Sequence, residues 1–110
     1  MKIAIPANGQ VVSEHFGHCA SFMTFEVENK KVINQSTIEN PGNHTPGVLP
    51  QLLKDNDINL VIAGGIGQKA IEIFNKADIK VITGASGLIK NVIESFFNGG
   101  LQDKNNVCSH

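Results

Sequence analysis

The amino-acid sequence predicts an α/β sandwich: a five-stranded mixed sheet with helices on both faces. Three observations predict it. The first half of the 110 residues reads as strands, and the second half alternates helix and strand patterns. The last helical segment carries Leu88, Ile89, Val92, Ile93, Phe96 and Phe97, a stripe one helix face wide. A hydrophobic content of 41% is enough for one core, and the length suits one domain of roughly 100–200 residues.

Lys2 to Pro6 is a short Ile-rich run suited to a buried central strand. Asn8-Gly9 breaks it and opens a loop that runs to about Ala20. Phe22 to Val27 and Lys31 to Ile38 are extended segments, and Glu28-Asn29-Lys30 between them is a polar turn of hairpin length. A loop dense in Asn, Pro and Gly follows from Glu39 to Thr45. Thr45 then reads as a helix cap with Pro46 at the first helical position, and Leu49, Leu52 and Leu53 form the apolar stripe. Pro50 falls near the first turn, where proline is tolerated.

Leu60 to Ala63 is a buried strand that ends in Gly64-Gly65-Ile66-Gly67. The next helix turns Ala70, Ile71 and Phe74 inward, and Ile79 to Ile82 is the last strand. Gly84-Ala85-Ser86-Gly87 leads into the final helix with Ser86 as its expected cap, and Gly99-Gly100 ends it. Right-handed crossovers make the later strands parallel, and the hairpin adds an antiparallel strand. Residues 1–100 are expected to form the single domain, with 101–110 a polar, exposed tail.

Composition narrows the function. Nine Lys and no Arg face ten acidic residues for a net charge of −1, so no basic face marks a nucleic-acid partner. No apolar run approaches the roughly 20 residues that span a bilayer, so no membrane partner is expected. The run Met1 to Pro6 is too short for a secretory core, and the expected location is the cytoplasm. There Cys19 and Cys108 would be thiols, available to a soft metal.

The richest cluster of chemistry is Glu14-His15-Phe16-Gly17-His18-Cys19, with three transition-metal ligands in five positions. Imidazole and thiolate suit zinc, copper or iron–sulfur species better than magnesium or calcium. An ordinary polar loop with Cys19 packed inside satisfies the same residues. His44 before the first helix and Cys108-Ser109-His110 at the chain end add ligand types, so every His and Cys falls in a loop or the tail. The turn Gly64 to Gly67 joins a strand to a helix, where backbone N–H groups receive anions. It matches neither a P-loop nor G-x-G-x-x-G, and close strand–helix packing explains such glycines as well. Ser86 lies outside any nucleophile elbow, and no strand carries an inward carboxylate pair for two-metal hydrolysis.

Lys2 to Pro6, His15-Phe16-Gly17-His18, Phe22 to Glu26, Val61 to Gly67 and Ile79 to Ala85 together resemble the dinitrogenase iron–molybdenum cofactor biosynthesis family. That family includes NifX- and NafY-type carriers and the C-terminal domain of NifB. The resemblance covers nearly the whole chain. It implies a ribonuclease H-like three-layer sandwich without nuclease chemistry. It also implies a non-enzymatic protein that binds, stores or transfers an iron–sulfur or iron–molybdenum cluster between donor and acceptor proteins. His15 is the principal ligand it implies, with Phe16, Gly17, His18, Gly64 and Gly65 lining the cofactor site. His18, Cys19 and His44 would join His15 among the metal ligands, and Cys108 and His110 would close the site from the tail. Glu14 precedes His15 and the chain has no Arg, so the expectation stands at metal clusters in general, with mononuclear zinc or copper, or a metal-free interaction domain, as alternatives. Imidazole and thiolate bind metals only when deprotonated, so occupancy is expected to weaken below about pH 6.5.

Overall fold

In the computed structural model, which describes residues 1–42 and 47–100, the Ile-rich run forms strand β1 (Lys2–Asn8) at the centre of the sheet. A two-residue strand, β2 (Val11–Val12), folds back antiparallel on its end. The hairpin follows as β3 (Ser21–Glu28) and β4 (Lys31–Glu39). Asn29 and Lys30 turn the chain between them at φ 52° and 62°. Two left-handed residues in succession match the right-handed twist of the strands they join. Helix α1 (Val48–Asp55), β5 (Leu60–Ile62), α2 (Gln68–Lys76), β6 (Lys80–Ile82) and α3 (Ile89–Phe97) complete the order.

The strands lie in the order β4-β3-β1-β5-β6, with β2 paired to β1. Strand β3 runs antiparallel to both neighbours, while β1, β5 and β6 are parallel. This is the expected mixed sheet of the ribonuclease H-like class, with β2 as a sixth, short member that two residues of pattern could not announce.

Both faces of β1 are buried, which is why it reads as a continuous apolar run rather than an alternating one. Ile3 and Ile5 pack toward Ile89, Val92 and Ile93 of α3. Ala4 faces the other way, into a layer with Phe22, Val61, Leu53 of α1 and Phe74 of α2. Phe22, Leu53 and Phe74 are fully buried there.

Two helix starts differ from expectation. Helix α1 begins at Val48 with Gly47 in the cap position at φ 91°, so its first turn lies beyond Thr45-Pro46. Thr45 and Pro46 themselves fall outside the described residues. Pro50 sits in the first turn, where no intrahelical N–H is needed. Helix α3 is preceded by Leu88, not capped by Ser86, because Gly87 turns the chain at φ 86° between them. The β2 segment serves this helix end instead: Ile89 N–H donates to the Gln10 carbonyl at 2.9 Å, and Val12 N–H donates to the Gly87 carbonyl at 2.9 Å. At the other end Gly99 takes φ 76°. Gly100 N–H reaches Ser95 O at 2.7 Å and Gly99 N–H reaches Phe96 O at 3.2 Å, the paired closure expected of a glycine stop.

Removing a buried ring should cost far more than changing an exposed edge residue. Phe74→Ala is expected to lower unfolding stability by about 3–5 kcal/mol in a denaturant titration. Ile33→Ser on β4, where Ile33 is 58% exposed, is expected to stay within about 0.5 kcal/mol of the parent.

Candidate functional site

The parallel strands β1, β5 and β6 end on the same edge of the sheet, and the segments that follow β2, β5 and β6 meet there. In open α/β sheets this carboxyl edge is where ligands bind. The segment Ser13 to Phe16 follows β2, Gly64 to Gly67 follows β5, and Thr83 to Gly87 follows β6. Backbone hydrogen bonds stitch them together. Gly65 N–H donates to Glu14 O at 2.9 Å, Phe16 N–H donates to Gly65 O at 2.8 Å, and Gly84 N–H donates to Gly64 O at 2.9 Å.

The approach is too close for side chains. A Cβ on Gly65 would lie 2.5 Å from the Glu14 carbonyl oxygen, and one on Gly64 would lie 2.8 Å from that of Ser13 and 3.1 Å from that of Ala85. These glycines are therefore required by the contact between loops. The peptide groups of Gly65 are occupied by Glu14 and Phe16, so its part in the site is to set the loop geometry rather than to receive an anion.

His15 lies in extended backbone beside Gly65, and Phe16–His18 forms a single 3₁₀ turn closed by His18 N–H to His15 O at 3.1 Å. The Phe16 ring is buried and packs at 5.5 Å against both Phe22 and Phe74. It anchors the turn in the core, so its ring points away from any ligand on the surface. Both histidines are exposed, with ring centroids 6.2 Å apart and nearly perpendicular planes. Two open clefts flank them. One, of about 430 Å³, is lined by residues including Asn8, Ser13, Glu14 and Ser86; the other, of about 500 Å³, by Gly17, Ile66, Gly67 and Ala70 among others. His15 and His18 line both.

Cys19 parts company with the histidines. It is 4% exposed and belongs to the core layer of Phe16, Phe22 and Leu49. Burial pushes its thiol pKa up, against smaller opposing hydrogen bonds led by Asn40. A protonated thiol under the surface is a poor metal ligand. Among the described residues no three His, Cys, Asp or Glu side chains gather around one metal position. The structure thus brings His15 and His18 together, and Cys19 stands apart as a core thiol. His44, Cys108 and His110 lie outside the described residues.

Two polar side chains hold this turn and were not singled out by any motif. Ser13 is buried, and its hydroxyl donates to His15 O at 2.9 Å while accepting from His15 N–H at 3.3 Å. The Asn40 amide donates to Cys19 O at 2.8 Å and to Gly17 O at 3.4 Å. A Ser two residues before His15 is the pattern of a local serine turn and could have been read. Asn40, 21 residues from Cys19 in sequence, gave no such signal.

A family model described as dinitrogenase iron-molybdenum cofactor matches residues 1–99. The uncharacterized protein MJ0580 of Methanocaldococcus jannaschii is 35% identical over 106 residues, covering 93% of this chain and 90% of that protein. Among solved structures, PH0822 superposes with a TM-score of 0.86 at 39% identity, covering 94% of this chain and 96% of its own. A candidate NifB protein of Thermotoga, TM1290, gives a TM-score of 0.77 at 25% identity over 93% and 91% of the two chains. None of the described helices is long and apolar enough to cross a membrane.

Gly65→Ala should displace the Glu14 carbonyl and cost roughly 1–3 kcal/mol by thermal or denaturant unfolding. Gly17→Ala, where a Cβ meets nothing within 4 Å, should stay within about 0.5 kcal/mol of the parent. Cys19 gives a separate check, in a Cys108→Ser background. Its folded pKa lies above the unfolded value, so its contribution to stability is complete at neutral pH and lost as the pH rises into the alkaline range. Iodoacetamide at pH 8 is expected to alkylate it much more slowly in the native protein than in urea; equal rates would contradict the burial.

Proposed function

The chain belongs to the dinitrogenase iron–molybdenum cofactor family, and on that premise we propose that it binds an iron–sulfur or iron–molybdenum type cluster as cargo and passes it on. The observation that carries this reading is the pair of exposed imidazoles, His15 and His18, 6.2 Å apart on a shelf whose backbone is locked by Gly65. Imidazole nitrogens are ligands for iron, zinc and copper, and here they stand in solvent rather than in the core.

The chemistry of delivery explains why two outward ligands suffice. A resident structural metal is enclosed by a full set of protein ligands. Cargo must leave, and an acceptor protein must reach it while it is still held. Two imidazoles grip one side of a cluster and leave its other face to the acceptor. The open cleft of about 430 Å³ beside the pair leaves room for a guest of several atoms. The protein is read as a non-enzymatic cytoplasmic carrier, with donor and acceptor proteins as its partners. His44, Cys108 and His110 remain proposed additional ligands.

The test is anaerobic reconstitution of the full chain with ferrous iron and sulfide, with and without molybdate. Iron, sulfide, molybdenum, zinc and copper are then quantified and the visible spectrum recorded. Stoichiometric iron and sulfide with a visible band are expected, with loading reduced severalfold in His15→Ala and in His18→Ala and lost in the double variant. Full loading of the double variant would defeat the proposed site. A single zinc or copper ion without sulfide would replace the cluster by a mononuclear site, and a colourless, metal-free protein would defeat the carrier reading.

A further inference from the structure

The two histidines bound one short turn, and two polar side chains outside that turn hold it, one at each histidine. From this we infer that Ser13 and Asn40 are positioning residues, Ser13 for His15 and Asn40 for His18. The inference rests on the imidazole pair being the cargo site.

Ser13 is 3% exposed, and both of its hydroxyl functions are spent on the His15 peptide groups. Its own N–H is tied to Pro6 O of β1 at 2.8 Å. The central strand is thereby linked through one hydroxyl to the backbone of a ligand residue. The oxygen it donates to, His15 O, also accepts His18 N–H at 3.1 Å, so the same link reaches the second histidine.

Asn40 works from the opposite side. Its amide donates to the carbonyls of Gly17 and Cys19, the two residues that flank His18. Its Oδ1 accepts Gly42 N–H at 2.9 Å, and its backbone N–H donates to Ala20 O at 3.2 Å. With both flanking carbonyls drawn to one inward amide, His18 is left at the exposed apex of the turn. Neither residue caps a helix or packs in an apolar cluster; both act on peptide units next to a ligand. The Phe16 anchor and the Gly65 hydrogen bonds do not depend on either side chain, so the fold can persist without them. Outer groups that hydrogen-bond a ligand ring directly cost roughly 10–100-fold in metal affinity when lost. Ser13 and Asn40 hold peptide groups beside the rings, so their effect is expected at the lower end of that range.

The probe is Co²⁺ alone, titrated into the full chain and followed at the His15 and His18 imidazole resonances, which separates this site from binding elsewhere. Ser13→Ala and Asn40→Ala are each expected to weaken binding there by roughly tenfold, the lower end of what a lost outer group costs. Ser13→Thr, which keeps the hydroxyl, is expected to retain most of the affinity. The cycle with His18→Ala is the stricter readout: Asn40→Ala should cause no further loss once His18 is gone. An equal loss with and without His18 would assign Asn40 a general structural role and overturn its positioning role. Unchanged affinity in Ser13→Ala would do the same for Ser13. Those results leave the site intact, provided His15→Ala and His18→Ala each weaken Co²⁺ binding severalfold and the double variant loses it. If the two histidine variants bind Co²⁺ as the parent does, the imidazole site itself fails, and the positioning roles fail with it.

Discussion

The close approach of two backbones at Gly64 and Gly65 is the constraint on which the exposed edge of this protein depends. The carbonyl oxygens of Ser13 and Glu14 lie 2.8 and 2.5 Å from where a Cβ would be. No other amino acid fits without moving one of the chains. Because the chains touch, the loops after β2, β5 and β6 share hydrogen bonds and form one surface instead of three independent excursions. A side chain on such a surface has less conformational entropy to lose on binding than one on a free loop.

Beneath that surface the sheet supplies direction and the core supplies anchorage. Parallel pairing of β1, β5 and β6 follows from helical crossovers, and it sends all three carboxyl ends to one edge. The antiparallel hairpin extends the sheet on the other side of β1 and leaves that edge free. Phe16 then drives into the layer of Phe22 and Phe74, so the turn that follows is held from below by buried aromatic contact. One residue on either side of Phe16 and Gly17, an imidazole faces solvent. Alternation of one buried ring with two exposed imidazoles joins stability to availability in four residues. It would suit the proposed role, in which a guest is held and also released.

Much of this was legible in the residues. The unbroken apolar run of β1, the polar turn at Asn29-Lys30 and the stripe of α3 each express a local rule, and each appears in the structure. Where the reading missed, a tertiary contact had replaced a local one. Ser86 looks like a helix cap, yet the β2 segment bonds the start of α3 directly. Strand β2 exists because β1 offers it a partner, not because two valines form strands. Cys19 next to His18 reads as a third ligand, but the residue after the 3₁₀ turn heads back into the core toward β3. The glycines after β5 look like an anion cradle, and the crowding that requires them involves a segment about fifty residues earlier.

By itself the sequence determined the fold class, the order of the elements and the loop that bears the imidazoles. Those properties reside in hydrophobic period, turn residues and a short motif, all of which are local in the chain. Only the tertiary structure decided that His15 and His18 share a surface while Cys19 does not, and that Ser13 and Asn40 hold the turn between them. Such relations depend on distances between segments brought together by sheet pairing and core packing, and side-chain direction at a turn is set by what lies beneath it.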